Sequence, residues 1–258
     1  MNELHAILAP DFILHHALYG SVAVGFVCPL VGVYFLLRRL VFWGVALPQV
    51  SAAVIAFAFM LQGFGLAFLA HDPGHERHMA IAASILFTVP AILALAALER
   101  RPGGAAEGRI GVLYGLAAAG AILFVHWNPA GETELMGLLK GEIVTISETD
   151  FHAMINVLLI VTACLLLFQR EFLLVSFDRD MAVTLGRSVL LWDTLLFLMI
   201  GVTISLGVMT VGPLVIFGLL LVPPMTALPW ARGMLSFSLA SSAIGGLSAF
   251  GGFYVSYR

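Results

Sequence analysis

The chain has 258 residues, 61% of them hydrophobic and only 10% charged, with a formal net charge of −3. Soluble domains run to about 45–50% apolar and about 25% charged residues, so the composition excludes an ordinary water-soluble globule and predicts an all-α, polytopic membrane protein. No polar stretch is long enough to fold as a soluble unit, so residues 1–258 are expected to form a single transmembrane domain, with any nucleotide-binding domain on another chain.

Apolar runs of spanning length occur at 12–37, 40–69, 79–98, 110–127, 151–168, 188–208, 211–228 and 234–255, which predicts about eight transmembrane helices. The leading MNELHAILAPDF carries acids rather than a basic leader, so no cleavable signal peptide is expected. The first two spans meet at Arg38 and Arg39, inside PLVGVYFLLRRLVFWGVALPQV (Pro29–Val50). Gln49 falls nine residues into the second span. At about 1.5 Å per residue that is near the middle of a roughly 30 Å hydrocarbon core. A polar group there either marks a substrate path or bridges neighbouring helices, and its position leaves both readings open.

Between the second and third spans, His71–His78 reads HDPGHERH, three imidazoles and two carboxylates in a short loop. Imidazole suits zinc and other transition metals, making His71, His75 and His78 candidate metal ligands. A hydrated, His-rich loop explains the same residues, and the spacing matches no closed structural site. Between the fourth and fifth spans, 128–150 is acidic; Glu142, just past Gly141 and beside apolar residues, is its best candidate to line a path. After the fifth span comes LLVSFDRDMAVTLGRS, where Asp180 is expected to cap a short helix from Met181 that ends at Gly186. Asp193, five residues into the sixth span, is expected to be hydrated or paired with Arg187. The seventh span carries Pro213, Pro223 and Pro224 and is expected to be kinked or broken. The eighth has small-xxx-small pairs, Ser242/Gly246 and Ser248/Gly252, which permit close helix packing. Cys28 and Cys164 both fall in apolar runs and form no disulfide framework.

Arg38, Arg39, Arg100, Arg101, Arg109, Arg170, Arg179, Arg187 and Arg232 fall on one side of this topology; Arg77, Lys140 and Arg258 fall on the other. The positive-inside rule makes the first group cytoplasmic and the N-terminus external, which places all eight histidines on the outer half. The sequence holds no HExxH motif, no P-loop and no pair of intramembrane aspartates. An intramembrane enzyme therefore lacks a catalytic constellation, and an ion-driven transporter lacks an obvious relay.

Three segments together resemble the membrane permease subunits of ATP-binding-cassette importers for zinc, manganese and iron. Pro29–Leu47 is similar to the family's PLLG…LRR…GDALSHA run, Phe177–Gly186 (FDRDMAVTLG) to its cytoplasmic loop, and Val211–Ala227 (VGPLVIFGLLLVPPMTA) to its VG.LLV.ALLI.PAATA helix. The resemblance implies the vitamin B12-type (type II) importer fold. It implies a second permease subunit as dimer partner, a cytoplasmic ATPase subunit that binds the ATP, and an extracytoplasmic metal-binding protein. It also implies a bacterial-type cytoplasmic membrane, with a transition-metal ion as cargo and no cofactor on this chain. In that family Asp178, Arg179, Asp180, Ala182 and Gly186 would belong to the coupling helix that docks on the ATPase.

Two departures bear on cargo. Where the family pattern has Asp and His, four apart on one helix face and thought to line the translocation path, this sequence has Val45 and Gln49. An amide oxygen is a harder, weaker ligand than imidazole. The substitutions imply a path that no longer grips transition metals directly, a different cargo such as a chelate, or a permease-like assembly protein that has lost transport. Family members also commonly continue past a GFYVSYR-like step with a further apolar helix, whereas this sequence ends at Arg258.

Overall fold

The computed structural model describes residues 15–63, 76–99, 106–127 and 148–257, and every regular element in them is helical. In chain order these are α1 (His15–Leu37), α2 (Val41–Gly63), α3 (Glu76–Glu99), α4 (Ala106–His126), α5 (Glu148–Leu167), α6 (Gln169–Phe177), α7 (Arg179–Thr184), α8 (Val189–Val211), α9 (Pro213–Ala227), a 3₁₀ turn (Leu228–Trp230) and α10 (Met234–Tyr257). The long helices α1 to α5 and α8 to α10 coincide with the eight expected apolar segments. Among the described residues six helices are long and apolar enough to cross a membrane, and a seventh span results if α5 and α6, bent by 64°, count as one. α3 contributes the shorter apolar stretch Ser84–Ala97, so eight spans is an approximate count.

Burial separates centre from periphery. Of the apolar windows in α1 and α8, 72% is buried within the chain, against 17% for α4 and 28% for α10. α1 packs on α10, α9, α5 and α8, while α2 packs on α4, α3, α9 and α8. The main core joins Val24, Val31 and Phe35 of α1, Leu47 of α2, Ile92 of α3, Phe172 of α6, Leu196 and Ile204 of α8, and Leu220 of α9. Outward-facing Val112, Leu116 and Ile122 on α4 and Leu239, Leu247 and Val255 on α10 are exposed. In water such faces would drive aggregation; in a bilayer the acyl chains cover them, as a multi-pass membrane protein requires.

Two of the sequence expectations about packing need revision. α9 is one continuous helix from Pro213 to Ala227, which removes the broken alternative of the expected kink or break. Pro213 occupies its first turn, where a missing N–H costs nothing, and the break between α8 and α9 falls at Gly212 (φ 84°). Pro223 and Pro224 sit near the C-terminal end, and Thr226 Oγ1 donates 2.8 Å to the Pro223 carbonyl. Of the two small-residue pairs on α10, Ser242/Gly246 packs as expected: Ser242 Oγ donates 2.8 Å to the Phe26 carbonyl, and a Cβ on Gly246 would strike the Phe26 ring. Ser248/Gly252 does not: Ser248 is exposed, and nothing lies within 4 Å of a Cβ on Gly252.

Candidate functional site

Helix α1 ends in a Schellman motif. The Arg39 N–H donates to the Leu36 carbonyl at 3.1 Å and the Leu40 N–H to the Phe35 carbonyl at 2.8 Å. The motif needs a left-handed residue, and Arg39 supplies it at φ 58°. This reversal separates two arginines that look alike in sequence. Arg39 is exposed, whereas the Arg38 side chain is turned inward and retains 7% of its exposure.

Arg38 meets Asp193 of α8 at 2.8 Å, and that carboxylate is 3% exposed. The second Asp193 oxygen lies 3.3 Å from Arg179 of α7, whose side chain is 61% exposed. Arg38 Nε also donates 2.8 Å to Ser176 Oγ of α6, and Ser176 in turn donates to the Phe172 carbonyl. A cavity of about 250 Å³ adjoins the cluster, lined by Arg38, Leu40, Ser176, Arg179 and Phe197. The expected hydration of Asp193, or its pairing with Arg187, is therefore incorrect. Arg187 follows the end of α7 and reaches Glu171 instead, at 3.8 Å. An inward-turned arginine from a distant helix holds Asp193, a contact that no local spacing encodes.

The segment after α6 is built by its own end signals. Asp178, not Asp180, caps α7: Asp178 Oδ1 accepts from the Met181 N–H at 2.8 Å. Asp180 falls in the first turn, where a carboxylate favours the positive end of the helix. A second Schellman motif closes the other end, with Gly186 N–H to Val183 O at 3.0 Å, Arg187 N–H to Ala182 O at 2.9 Å, and Gly186 at φ 72°. Ala182 is fully buried against the bundle, while Met181, Val183 and Leu185 are exposed beside the charged side chains. The result is a short, amphiphilic knob, capped at both ends, on the arginine-rich side.

On α2, Val45 and Gln49 are both half-buried, one helical turn apart. Elsewhere on α2 and its neighbours, hydroxyl pairs are hidden in the core. Ser51 and Thr88 are 3.3 Å apart, and Ser84 and Ser205 share a short hydrogen bond, so α2, α3 and α8 are joined by polar contacts at membrane depth.

Residues 11–258 match the ABC 3 transport family. The chain belongs to that family. It is 27% identical over 249 residues to a probable iron transport system membrane protein of Haemophilus influenzae, covering 96% of this chain and 82% of that protein. It is 27% identical over 260 residues to the zinc transport system membrane protein TroC of Treponema pallidum, covering 98% and 84%. It is 25% identical over 244 residues to the manganese transport system membrane protein MntC of Listeria monocytogenes, covering 95% and 81%. PsaBC from Streptococcus pneumoniae, solved in complex with Fab, superimposes with a TM-score of 0.78 at 23% identity, covering all of this chain and 87% of that one. At that identity the likeness shows the fold.

As a member of the ABC 3 transport family, a family of transporter subunits rather than enzymes, the chain brings together some of the expected residues and not others. Asp178, Arg179, Asp180, Ala182 and Gly186 all belong to the α7 knob. Val45 and Gln49 share one face of α2. Glu142, His71 and His75 lie outside the described residues, and His78 falls within α3 with a side chain that is not among those described. Among the described residues no group of three or more His, Cys, Asp or Glu side chains is arranged to hold a metal. The charged junction and the buried hydroxyl pairs were missed from sequence. A lone acid in an apolar helix was the available signal for the first.

Proposed function

We propose that this chain is the transmembrane permease subunit of an ATP-binding-cassette importer. It moves a divalent metal ion (zinc, manganese or iron) or a small metal complex into the cytoplasm. The observation that carries this reading is the family match across residues 11–258, which the α7 knob supports by presenting exposed apolar and charged side chains from a doubly capped helix. In this reading α7 docks on a cytoplasmic ATPase that binds and hydrolyses ATP, and a second permease subunit completes the path. An extracytoplasmic metal-binding protein delivers cargo. The membrane is a bacterial cytoplasmic membrane with the arginine-rich end inside. The α2 face carrying Val45 and Gln49 lines the path, with Glu142 beside it, and the His71, His75 and His78 segment lies outside. No bond chemistry belongs to this chain; its work is alternating access.

The test is co-purification of the tagged chain with a P-loop ATPase from its own host, followed by uptake of radiolabelled Mn²⁺, Zn²⁺ and Fe²⁺ by vesicles holding the assembled complex. A stable protein with no ATPase partner overturns the reading. A second reading is favoured by one observation, the loss of the Asp and His pattern at Val45 and Gln49: a permease-like assembly protein that does not itself transport metal. Gln49→Ala separates the two, since a path residue alters uptake and an idle one leaves it unchanged.

A further inference from the structure

We propose that Asp193 is a positioning residue that transmits movement of α7 to the foot of α2, so that the Arg38–Asp193–Arg179 junction connects ATP use to the face carrying Val45 and Gln49. The proposal rests on the reading of α7 as the ATPase-docking element. Its basis is the arrangement of the junction. α7 buries Ala182 and otherwise presents exposed side chains, so it lacks the broad apolar face that would weld it to the bundle. Arg179 ties it instead to Asp193, and Ser176, three residues upstream, ties α6 to Arg38. Both ties converge on the residue that precedes the α1–α2 reversal. α2 begins at Val41, three residues past Arg38, and Gln49 lies eight residues further, about 12 Å along the helix at 1.5 Å per residue. A helix displaced at its first turn moves that face with it.

Charge and free volume suit this task better than they suit static anchoring. A buried ion pair is no better an anchor than well-packed apolar side chains, so its use here calls for another reason. Asp193 has one buried arm toward Arg38 and one exposed arm toward Arg179. The exposed arm can lengthen or shorten while the buried arm keeps its charge compensated. Close-packed cores resist such sliding, whereas the cavity of about 250 Å³ bordered by Arg38, Ser176 and Arg179 gives the guanidinium room to move.

The experiment uses the assembled complex in proteoliposomes, with metal uptake (Mn²⁺ and Zn²⁺ as probes) and ATP hydrolysis measured together. A spin label on the exposed Phe42, at the foot of α2, is paired with one on the exposed Leu247 of α10. Arg179→Ala, on a side chain that is mostly exposed, is expected to lower metal moved per ATP hydrolysed at least fivefold, with Arg179→Lys recovering part of it. It is also expected to abolish the ATP-dependent change in the Phe42–Leu247 distance. Asp193→Asn should act in the same direction and Asp193→Glu less so. The double variant Arg179→Ala/Asp193→Asn should be no worse than the poorer single one. An unchanged ratio and an unchanged distance response in Arg179→Ala, with the ATPase still bound, overturn the junction alone. A wild-type chain that binds no ATPase overturns the docking reading and this proposal with it.

Discussion

A Cβ atom on Gly32 would lie 1.8 Å from the carbonyl oxygen of Leu220, so α1 and α9 approach with nothing between their backbones. No side chain fits there without pushing the helices apart, and Pro224, with a ring atom 3.1 Å away, limits the escape. Gly32→Ala is expected to destabilise by at least the roughly 1–3 kcal/mol typical of overpacked cores. The readout is the thermal midpoint of the detergent-solubilised protein. Gly218→Ala on α9, where nothing lies within 4 Å, is the control expected to hold or slightly raise the midpoint, since Ala favours a helix over Gly by about 0.5–1 kcal/mol.

The buried arm of the charged junction makes a stability prediction distinct from its proposed role in coupling. Asp193→Ala leaves the Arg38 guanidinium in a low-dielectric site without its carboxylate, and breaking a buried pair from one side costs about 3–5 kcal/mol. Replacing both members with apolar side chains, Arg38→Met with Asp193→Leu, is expected to recover most of the lost thermal stability. A double variant as unstable as Asp193→Ala would contradict this assignment.

The two Schellman positions, Arg39 and Gly186, should respond oppositely to losing and gaining a side chain. Arg39 holds φ 58° with a Cβ atom, a conformation that costs about 1–2 kcal/mol for a residue other than glycine. Arg39→Gly is therefore expected to be neutral or stabilising. Gly186→Val places a branched side chain at φ 72° and is expected to loosen the end of α7. Limited proteolysis in the 178–188 segment reports the second effect and the thermal midpoint the first.

Asp178 caps α7 through the Met181 N–H. Asp178→Ala is expected to cost that helix about 1 kcal/mol, while Asp178→Ser keeps most of the cap. Since α7 is the proposed docking element, the Ala variant should weaken ATPase binding several-fold in a pull-down titration and the Ser variant should not.

Val45 and Gln49 occupy neighbouring positions on one face of α2, so Val45→Asp with Gln49→His places a carboxylate and an imidazole one turn apart. Zinc and manganese affinity, measured by isothermal titration of the purified complex, is expected to rise at least tenfold over the unaltered chain. No change would mean that this face does not meet the metal.

The helices were legible because each apolar segment carries its own evidence, in length and uniform hydrophobicity, that it prefers lipid to water. Their ends were legible in part. Gly186 marked the stop of α7, but Asp178 and Asp180 are both credible caps in sequence, and only the backbone shows which one accepts the Met181 N–H. At Arg38 and Arg39 the sequence reveals two positive charges at one membrane face, without the reversal that exposes one and buries the other.

By itself, then, the sequence determined that this is a helical membrane protein, where its long apolar helices lie, and which family it resembles, because those depend on local composition and short motifs. Tertiary structure decided that Asp193 pairs with Arg38 and Arg179 rather than with Arg187, that Gly32 is an obligatory contact while Gly252 is free, and that Ser84 meets Ser205. Such facts depend on which helices become neighbours. A side chain's partner in a packed bundle is set by helix crossings summed over the whole chain, and no window of residues contains that sum.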